Sequence, residues 1–381
     1  MSTPVADQEP QASAADPGHL RRQVRDFLAA QRSAGVFEPR CDSWLSGCSE
    51  EFSRILGAQG WLGMTWPLKY GGHGRSEVER YTVNEELLAA GAPVAAHWLA
   101  DRQVGPGILR HGSEQQRQAF LPAMARGELY FAIGMSEPDS GSDLASIRTA
   151  ATSCPGGWRV TGTKVWTSHA HRAHYLLALV RTGERVADRH AGLSQLIIDL
   201  TAPGVQISPI ESLDGEQHFN EVVLDDVFVP AADLLGAEGG GWRQVTSELA
   251  FERSGPERIL STFPLLAELM RRHGSQCDPD VGLLLAELGT LRQMSRDVAE
   301  VIGAGEVPAV EAAIVKDLGT RFENRVIEVA RRVAQVEPDP GSDDALVRLL
   351  AQAVLHAPAF TLRGGTNEIL RGIVARAVTG R

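Results

Sequence analysis

Apolar residues recur at helical spacing over the first third of the chain. Leu20, Val24, Phe27 and Leu28 share one face, Phe52, Ile55 and Leu56 another, and the pattern predicts helices from about Pro17 to Leu129. Trp61–Gly72 interrupts it with turn residues, after which Val78–Ala90 resumes the helical period. Ser113-Glu-Gln-Gln116 outlines a capping box ahead of a helix carrying Phe120 and Leu121. From Phe131 the pattern changes. Trp158–Trp166, Tyr175–Val180, Gln195–Leu200 and Phe219–Val229 are short runs rich in β-branched and aromatic residues, separated by Gly, Pro and Asp. Such runs predict a mostly antiparallel sheet or small barrel. Helical spacing returns after Gly239-Gly-Gly241 and continues through Leu284–Leu291, Val298–Ile302, Val310–Val326 and Ala345–Leu355. The fold class read from this order is α+β. A disordered tail (residues 1–18) precedes an N-terminal helical domain (19–130), a central β-barrel or sheet domain (131–238) and a C-terminal four-helix bundle (239–381). That order alone names no function.

Composition narrows the choice. The 381 residues carry a net charge of −11, which leaves no basic face to neutralise phosphates and excludes a nucleic-acid partner. Hydrophobic residues make up 43%, ordinary for a globular protein with a sizeable core. Cys41, Cys48, Cys154 and Cys277 show no metal-ligand spacing and read as free thiols of a reducing cytoplasm. The N-terminal tail has neither a basic nor an apolar signal region, and no run of about 18 apolar residues exists to span a membrane. His169, His171 and His174 lack further ligands and read as a wet loop, so no metal is expected; Asp225-Asp226 reads as a solvated turn.

Two segments stand out chemically. Met135-Ser-Glu-Pro-Asp-Ser-Gly-Ser-Asp143 sits where helices give way to strands. Its small residues let backbone approach a ligand, and Ser136 and Ser142 can donate to carbonyl or phosphate oxygens. Val165-Trp-Thr-Ser168 ends a strand with a planar side chain followed by hydroxyls, a group able to flank a flat ring and hydrogen-bond to it. Taken singly, the first is most simply a capped turn and the second a core aromatic. Together with Trp66–Gly72, His218–Val222 and Arg363-Gly-Gly-Thr-Asn-Glu-Ile-Leu-Arg371, they resemble the acyl-CoA dehydrogenases, in the right order over nearly the whole chain.

The resemblance implies FAD as cofactor. Met135, Ser136, Trp166, Thr167 and Ser168 would then lie on the isoalloxazine and ribityl chain, Gly141 and Ser142 near the pyrophosphate and acyl-CoA, and Thr366 and Glu368 beside the flavin. The family's reaction removes an α-proton and a β-hydride from a thioester, so it needs a desolvated carboxylate base and a polarised carbonyl. Many members carry the base directly before the Gly-Thr of the C-terminal loop. Here that residue is Gly364, which cannot act as a base but can still offer an N–H to the thioester oxygen. A minority place the glutamate directly before an Arg on the helix after the β domain, and Leu249-Ala-Phe-Glu252-Arg253 occupies that place, with Pro256 breaking the helix beyond it. Glu252 is therefore the expected base, with Ser142, Arg253 and Gly364 on the substrate.

The flavin site of this family is completed by a neighbouring subunit. The usual Arg-x-x-Phe-Gly turn is absent from Met270–Pro279, and the second lending segment is replaced by the acidic Val336–Asp343. A tetramer built with a different homologous subunit is expected. The rival is a homo-oligomer that holds the adenine end with Arg271 or Arg272. An electron-transfer flavoprotein would take the electrons. Two other functions share the fold. A flavin monooxygenase needs no carboxylate base, so Glu252 weighs against it; a non-catalytic partner subunit would not need the intact Met135–Ser168 segments. Branched, long, steroid side-chain and carrier-tethered acyl groups all stay open.

Overall fold

The computed structural model describes residues 17–184, 186–273 and 278–380, leaving aside the side chains of Pro17 and of residues 249–252. The first helical region comprises α1 (Pro17–Ser33), α2 (Ser43–Ser46), α3 (Glu50–Ala58), α4 (Glu77–Ala89), α5 (Ala95–Leu99), a π-helical turn (Ala100–Val104), α6 (Gly105–His111) and α7 (Glu114–Ala125). The helix starts follow local chemistry. Ser76 with Glu79 and Ser113 with Gln116 form reciprocal capping boxes on α4 and α7.

The strands follow as β1 (Phe131–Gly134), β2 (Ala150–Cys154), β3 (Gly157–Ser168), β4 (Tyr175–Arg181), β5 (Leu193–Asp199), β6 (Val205–Ile210), β7 (Phe219–Pro230) and β8 (Leu234–Leu235). They form one sheet in the order β6-β7-β3-β2-β4-β5-β8, with β1 added parallel to β4. Alternation along β3 and β7 buries Trp158, Val160, Val222, Leu224, Val227 and Val229 together. Asp225 and Asp226, expected in a turn, lie inside β7. The strand runs through them because a register shift opposite Val160/Gly162 absorbs Asp226 at φ 50.

The C-terminal helices are α8 (Gly241–Arg253), a 3₁₀ turn (Pro256–Arg258), α9 (Phe263–His273), α10 (Pro279–Gly303), α11 (Ala309–Ala334), α12 (Ala345–Phe360) and α13 (Asn367–Thr379). Asp278 and Asp344 cap α10 and α12 through their carboxylates. The two helical regions share one core. Leu20, Val24, Phe52 and Leu87 of the first pack with Leu265, Leu269, Leu288, Phe322 and Val326 of the second. This joint core sets α8 and the α12–α13 turn against the first helical region. Among the described residues no helix is long and apolar enough to cross a membrane.

Candidate active site

A buried ion pair fixes the loop that follows β1. Lys164, fully buried on β3, donates from Nζ to Glu137 Oε1 at 2.9 Å and to the Met135 carbonyl at 3.2 Å. Glu137 also accepts from the Arg148 and Thr149 N–H groups, at 2.6 and 2.9 Å. Burial favours the neutral carboxyl, but Lys164 and these donors outweigh it and hold Glu137 below its usual range. Burial pulls Lys164 down to about 8. The loop then closes on itself, with Glu137 and Ser140 exchanging both backbone hydrogen bonds. Gly141 and Ser142 are left exposed at its tip, with nothing within 4 Å of a Cβ built on Gly141.

The end of β3 is distorted beside this loop. Register shifts between Lys164 and Thr167, and the Val165 N–H leaves the ladder to donate to the Ser136 carbonyl at 2.9 Å. Trp166 takes φ 58 and stands 60% exposed, its ring edge-on to Phe219 at 6.0 Å. An exposed aromatic in left-handed backbone is strained and unburied at once, the signature of a surface shaped for a ligand. Thr167 is buried, and its Oγ1 has no hydrogen-bond partner among the described residues. Asn220 Nδ2 holds the Thr167 carbonyl at 3.0 Å. A flat apolar wall, an orphaned hydroxyl and an open Ser/Gly loop fit a planar cofactor carrying a phosphate tail.

The C-terminal turn is clamped by three cations. Arg253, the last residue of α8, donates from Nε to the Gly364 carbonyl at 2.9 Å. Lys316, fully buried on α11, donates to the Thr361 and Gly365 carbonyls and to Asn367 Oδ1, at 3.2, 2.8 and 2.7 Å. Arg363 Nη1 reaches Asp42 Oδ2 at 2.6 Å, and its guanidinium lies over the Trp44 ring at 4.4 Å. With their carbonyls so engaged, Gly364 and Gly365 (φ 69 and 93) give no N–H to any described backbone partner. The left-handed conformation at 364 itself favours glycine there. Thr366 caps α13 by accepting from the Ile369 N–H at 3.4 Å, and Glu368 lies exposed in the first turn of that helix. Its carboxyl is held low chiefly by the backbone N–H at the helix start.

The structure thus brings Met135 and Ser136 to Trp166, Thr167 and Ser168, and brings Arg253 to Gly364. Glu252 lies on the last turn of α8, with a side chain outside the described ones. The expected wet histidine loop is not wet throughout: His169 Nε2 contacts the Leu45 carbonyl at 2.8 Å, and burial lowers the ring to about 4. His174 Nδ1 accepts from the Tyr130 N–H at 3.1 Å, and both His171 and His174 stay exposed. Arg271 and Arg272 are committed to Glu268, and Arg272 also to Asp344. Residues 274–277 of the missing Phe-Gly region lie outside the described residues, and 336–343 form an irregular stretch between α11 and α12.

Three buried groups were not foreseen from the sequence: the Lys164–Glu137 pair; Arg102 of the π-turn, bonded to Glu257 at 2.8 Å; and His356 between Asp42 and Asp214. Only the first left a local signal. Trp158, Val160 and Lys164 fall on the same inward face of β3, so a buried lysine needing a carboxylate could have been inferred.

Residues 16–128, 132–227 and 280–379 match the family profiles described as acyl-CoA dehydrogenase N-terminal, middle and C-terminal domains. The chain is 35% identical over 385 residues to the acyl-CoA dehydrogenase IpdE1 of Mycobacterium tuberculosis, covering 96% of this chain and 98% of that protein. It is 35% identical over 337 residues to FadE34 of the same organism, covering 85% of this chain but spanning only 45% of FadE34. Among solved structures, the Tcur3481-Tcur3483 steroid ACAD superposes with a TM-score of 0.82 at 27% identity, over 97% of this chain and 99% of that one.

Proposed function

This chain belongs to the acyl-CoA dehydrogenase family, and from that premise we propose that it oxidises an acyl-CoA thioester to the α,β-enoyl thioester with Glu252 as base. One observation carries the assignment. The Arg253–Gly364 hydrogen bond at 2.9 Å ties the end of α8, where Glu252 lies, to a turn whose glycine N–H groups donate to no described backbone partner. A carboxylate and an oxyanion donor set are thereby joined in one unit.

The thioester carbonyl accepts from the Gly364 N–H. Polarisation makes the α-hydrogen acidic enough for Glu252 to remove as a proton. FAD, when bound, would supply the acceptor for the β-hydrogen as hydride, and the electron pair of the broken α-C–H bond would become the new C=C. Met135, Ser136, Trp166, Thr167 and Ser168 would hold the FAD ring system and ribityl chain, and Gly141 and Ser142 would lie near its phosphates. The proton stays on Glu252 until product leaves. Electrons then pass to an electron-transfer flavoprotein.

The assembly follows from what the chain lacks. Arg271 and Arg272 are neutralised by Glu268 and Asp344, which speaks against their clamping a pyrophosphate. A second, homologous subunit is therefore proposed to supply the other half of each flavin site, as the paired name of the Tcur3481-Tcur3483 relative suggests for that protein. The chain purified alone is expected to hold well under one FAD per chain, and co-expression with the partner to restore it. Stoichiometric FAD in a homo-oligomer overturns this assembly. The reaction is tested by anaerobic mixing of the flavin-loaded enzyme with branched, long-chain and steroid side-chain acyl-CoA thioesters. Bleaching of the flavin by at least one class is expected. Failure of all of them, with oxygen-dependent hydroxylation instead, would move the protein to the monooxygenase class.

A further inference from the structure

Behind the glycine turn runs a chain of buried charges that the proposed chemistry does not use. His356, buried on α12, faces Asp42 Oδ2 with Nδ1 at 3.0 Å and Asp214 Oδ2 with Nε2 at 2.8 Å. Both ring nitrogens meet carboxylate oxygens, and only the imidazolium has two N–H groups to give them. Asp42 follows α1 at φ 55 and is fully buried; its Oδ2 also takes the Arg363 guanidinium, which extends from Nη2 to Ser261 Oγ at 3.1 Å. Asp214 lies between β6 and β7 and takes His218 Nε2 on the same oxygen at 3.0 Å. One histidine therefore joins the first helical region, the β domain and α12. Through Asp42 it reaches Arg363, the residue before Gly364.

We propose that His356 is a positioning residue for the thioester-polarising turn: as an imidazolium between Asp42 and Asp214 it fixes Asp42, Asp42 fixes Arg363, and Arg363 sets the backbone of Gly364. This rests on the proposed role of the Gly364 N–H. Misplacing a reacting group by about 1 Å can cost about 10²-fold in rate, so a clamp on that turn has catalytic leverage without touching substrate.

The surroundings fix the direction of a pH effect. Asp42 and Asp214 bond the ring directly, and the His218 ring lies 5.5 Å from it; Arg363 acts on it through Asp42, Glu216 through His218, and Arg40 through its pair with Glu216. Glu323 of α11 stands behind Ser261, to whose N–H it accepts at 2.8 Å, with its carboxyl raised by burial to about 7. Burial alone would depress His356, but Asp214 and Asp42 overcome it and raise the ring to about 9. Because the folded value lies above the unfolded one, near 6.5, the clamp's contribution to stability is complete below pH 6.5, while the folded enzyme keeps its imidazolium up to about 9. Both are lost as pH rises through about 9.

The test is the limiting rate of flavin reduction in the FAD-loaded enzyme from pH 6 to 10, with a thioester that reduces the wild type. The wild-type rate is expected to fall as pH passes about 9. Asp214→Asn, remote from the turn, moves that fall to lower pH by about one unit. His356→Gln lowers the rate about 10- to 100-fold at pH 7 and abolishes the alkaline limb. If His356→Gln does not fold, the Asp214→Asn profile decides alone. Variant profiles that coincide with the wild type overturn the proposal and reduce the cluster to a structural latch, with the dehydrogenation reading intact. So does stoichiometric zinc on Asp214, His218 and His356, whose ligand atoms lie within 4.8 Å of one another. A wild-type flavin that no thioester reduces overturns the dehydrogenation reading, and this positioning role with it.

Discussion

Replacing Glu252 by Gln is expected to leave FAD bound and to slow its reduction by acyl-CoA about 10²–10⁴-fold, the usual contribution of a positioned general base. The amide keeps shape and hydrogen bonding but cannot accept the α-proton. Little else can replace the carboxylate, because the position before the Gly-Thr of the C-terminal turn is Gly364. The nearest rival on the same helix is Glu248, buried one turn earlier and facing Gln195 Nε2 at 3.4 Å. Glu248→Gln is the control, expected to reduce at a rate within a few-fold of the wild type. Stopped-flow reduction that is undiminished in Glu252→Gln, or abolished in Glu248→Gln instead, would take the base away from Glu252. The flavin absorbance of each variant before mixing shows whether binding was kept.

The legible parts of this protein are those written in local periodicity. Helical spacing around Leu20–Leu28 and Val310–Val326, and alternation in β3 and β7, place the core residues directly, and Ser113 with Gln116 caps α7 as its spacing predicts. Asp225-Asp226 misled because acidic pairs favour turns, yet β7 has Val227 and Val229 to bury on the far side and runs on through a bulge. The strain at Trp166 could not be read at all. Nothing in Val165-Trp166-Thr167 marks a left-handed tryptophan, a conformation imposed by the Val165–Ser136 bond and the Thr167–Asn220 pairing on either side. Family motifs drew attention to Met135–Asp143, Trp166–Ser168 and Gly364. The groups that hold them were hidden by distance along the chain: His356 meets Asp42 across 314 residues and Asp214 across 142. Motifs mark the surface that meets a ligand, whereas its supports are assembled by the tertiary fold.

The same logic makes Lys164 the most consequential support. Lys164→Met should destabilise the protein by about 3–5 kcal/mol, because removing one partner of a buried ion pair strands the other charge. The stranded group is Glu137, which would keep only the Arg148 and Thr149 N–H donors at 2.6 and 2.9 Å. Methionine matches the length of the lysine stem, so lost packing contributes little and the effect reports on charge. Function should suffer separately from stability. Lys164 also holds the Met135 carbonyl, at 3.2 Å, on the loop from Met135 to Ser142 that is proposed to face the flavin. FAD affinity is therefore expected to fall even where the variant remains folded. Adding Glu137→Gln to Lys164→Met removes the orphaned charge and should recover much of the stability. The loop would still lack its anchor, so FAD binding should not return with it. Denaturant unfolding and FAD titration of both variants separate the two effects. A Lys164→Met protein within about 1 kcal/mol of wild type would show that the Glu137 carboxylate is solvated or protonated at little cost, and that the pair does not hold the loop.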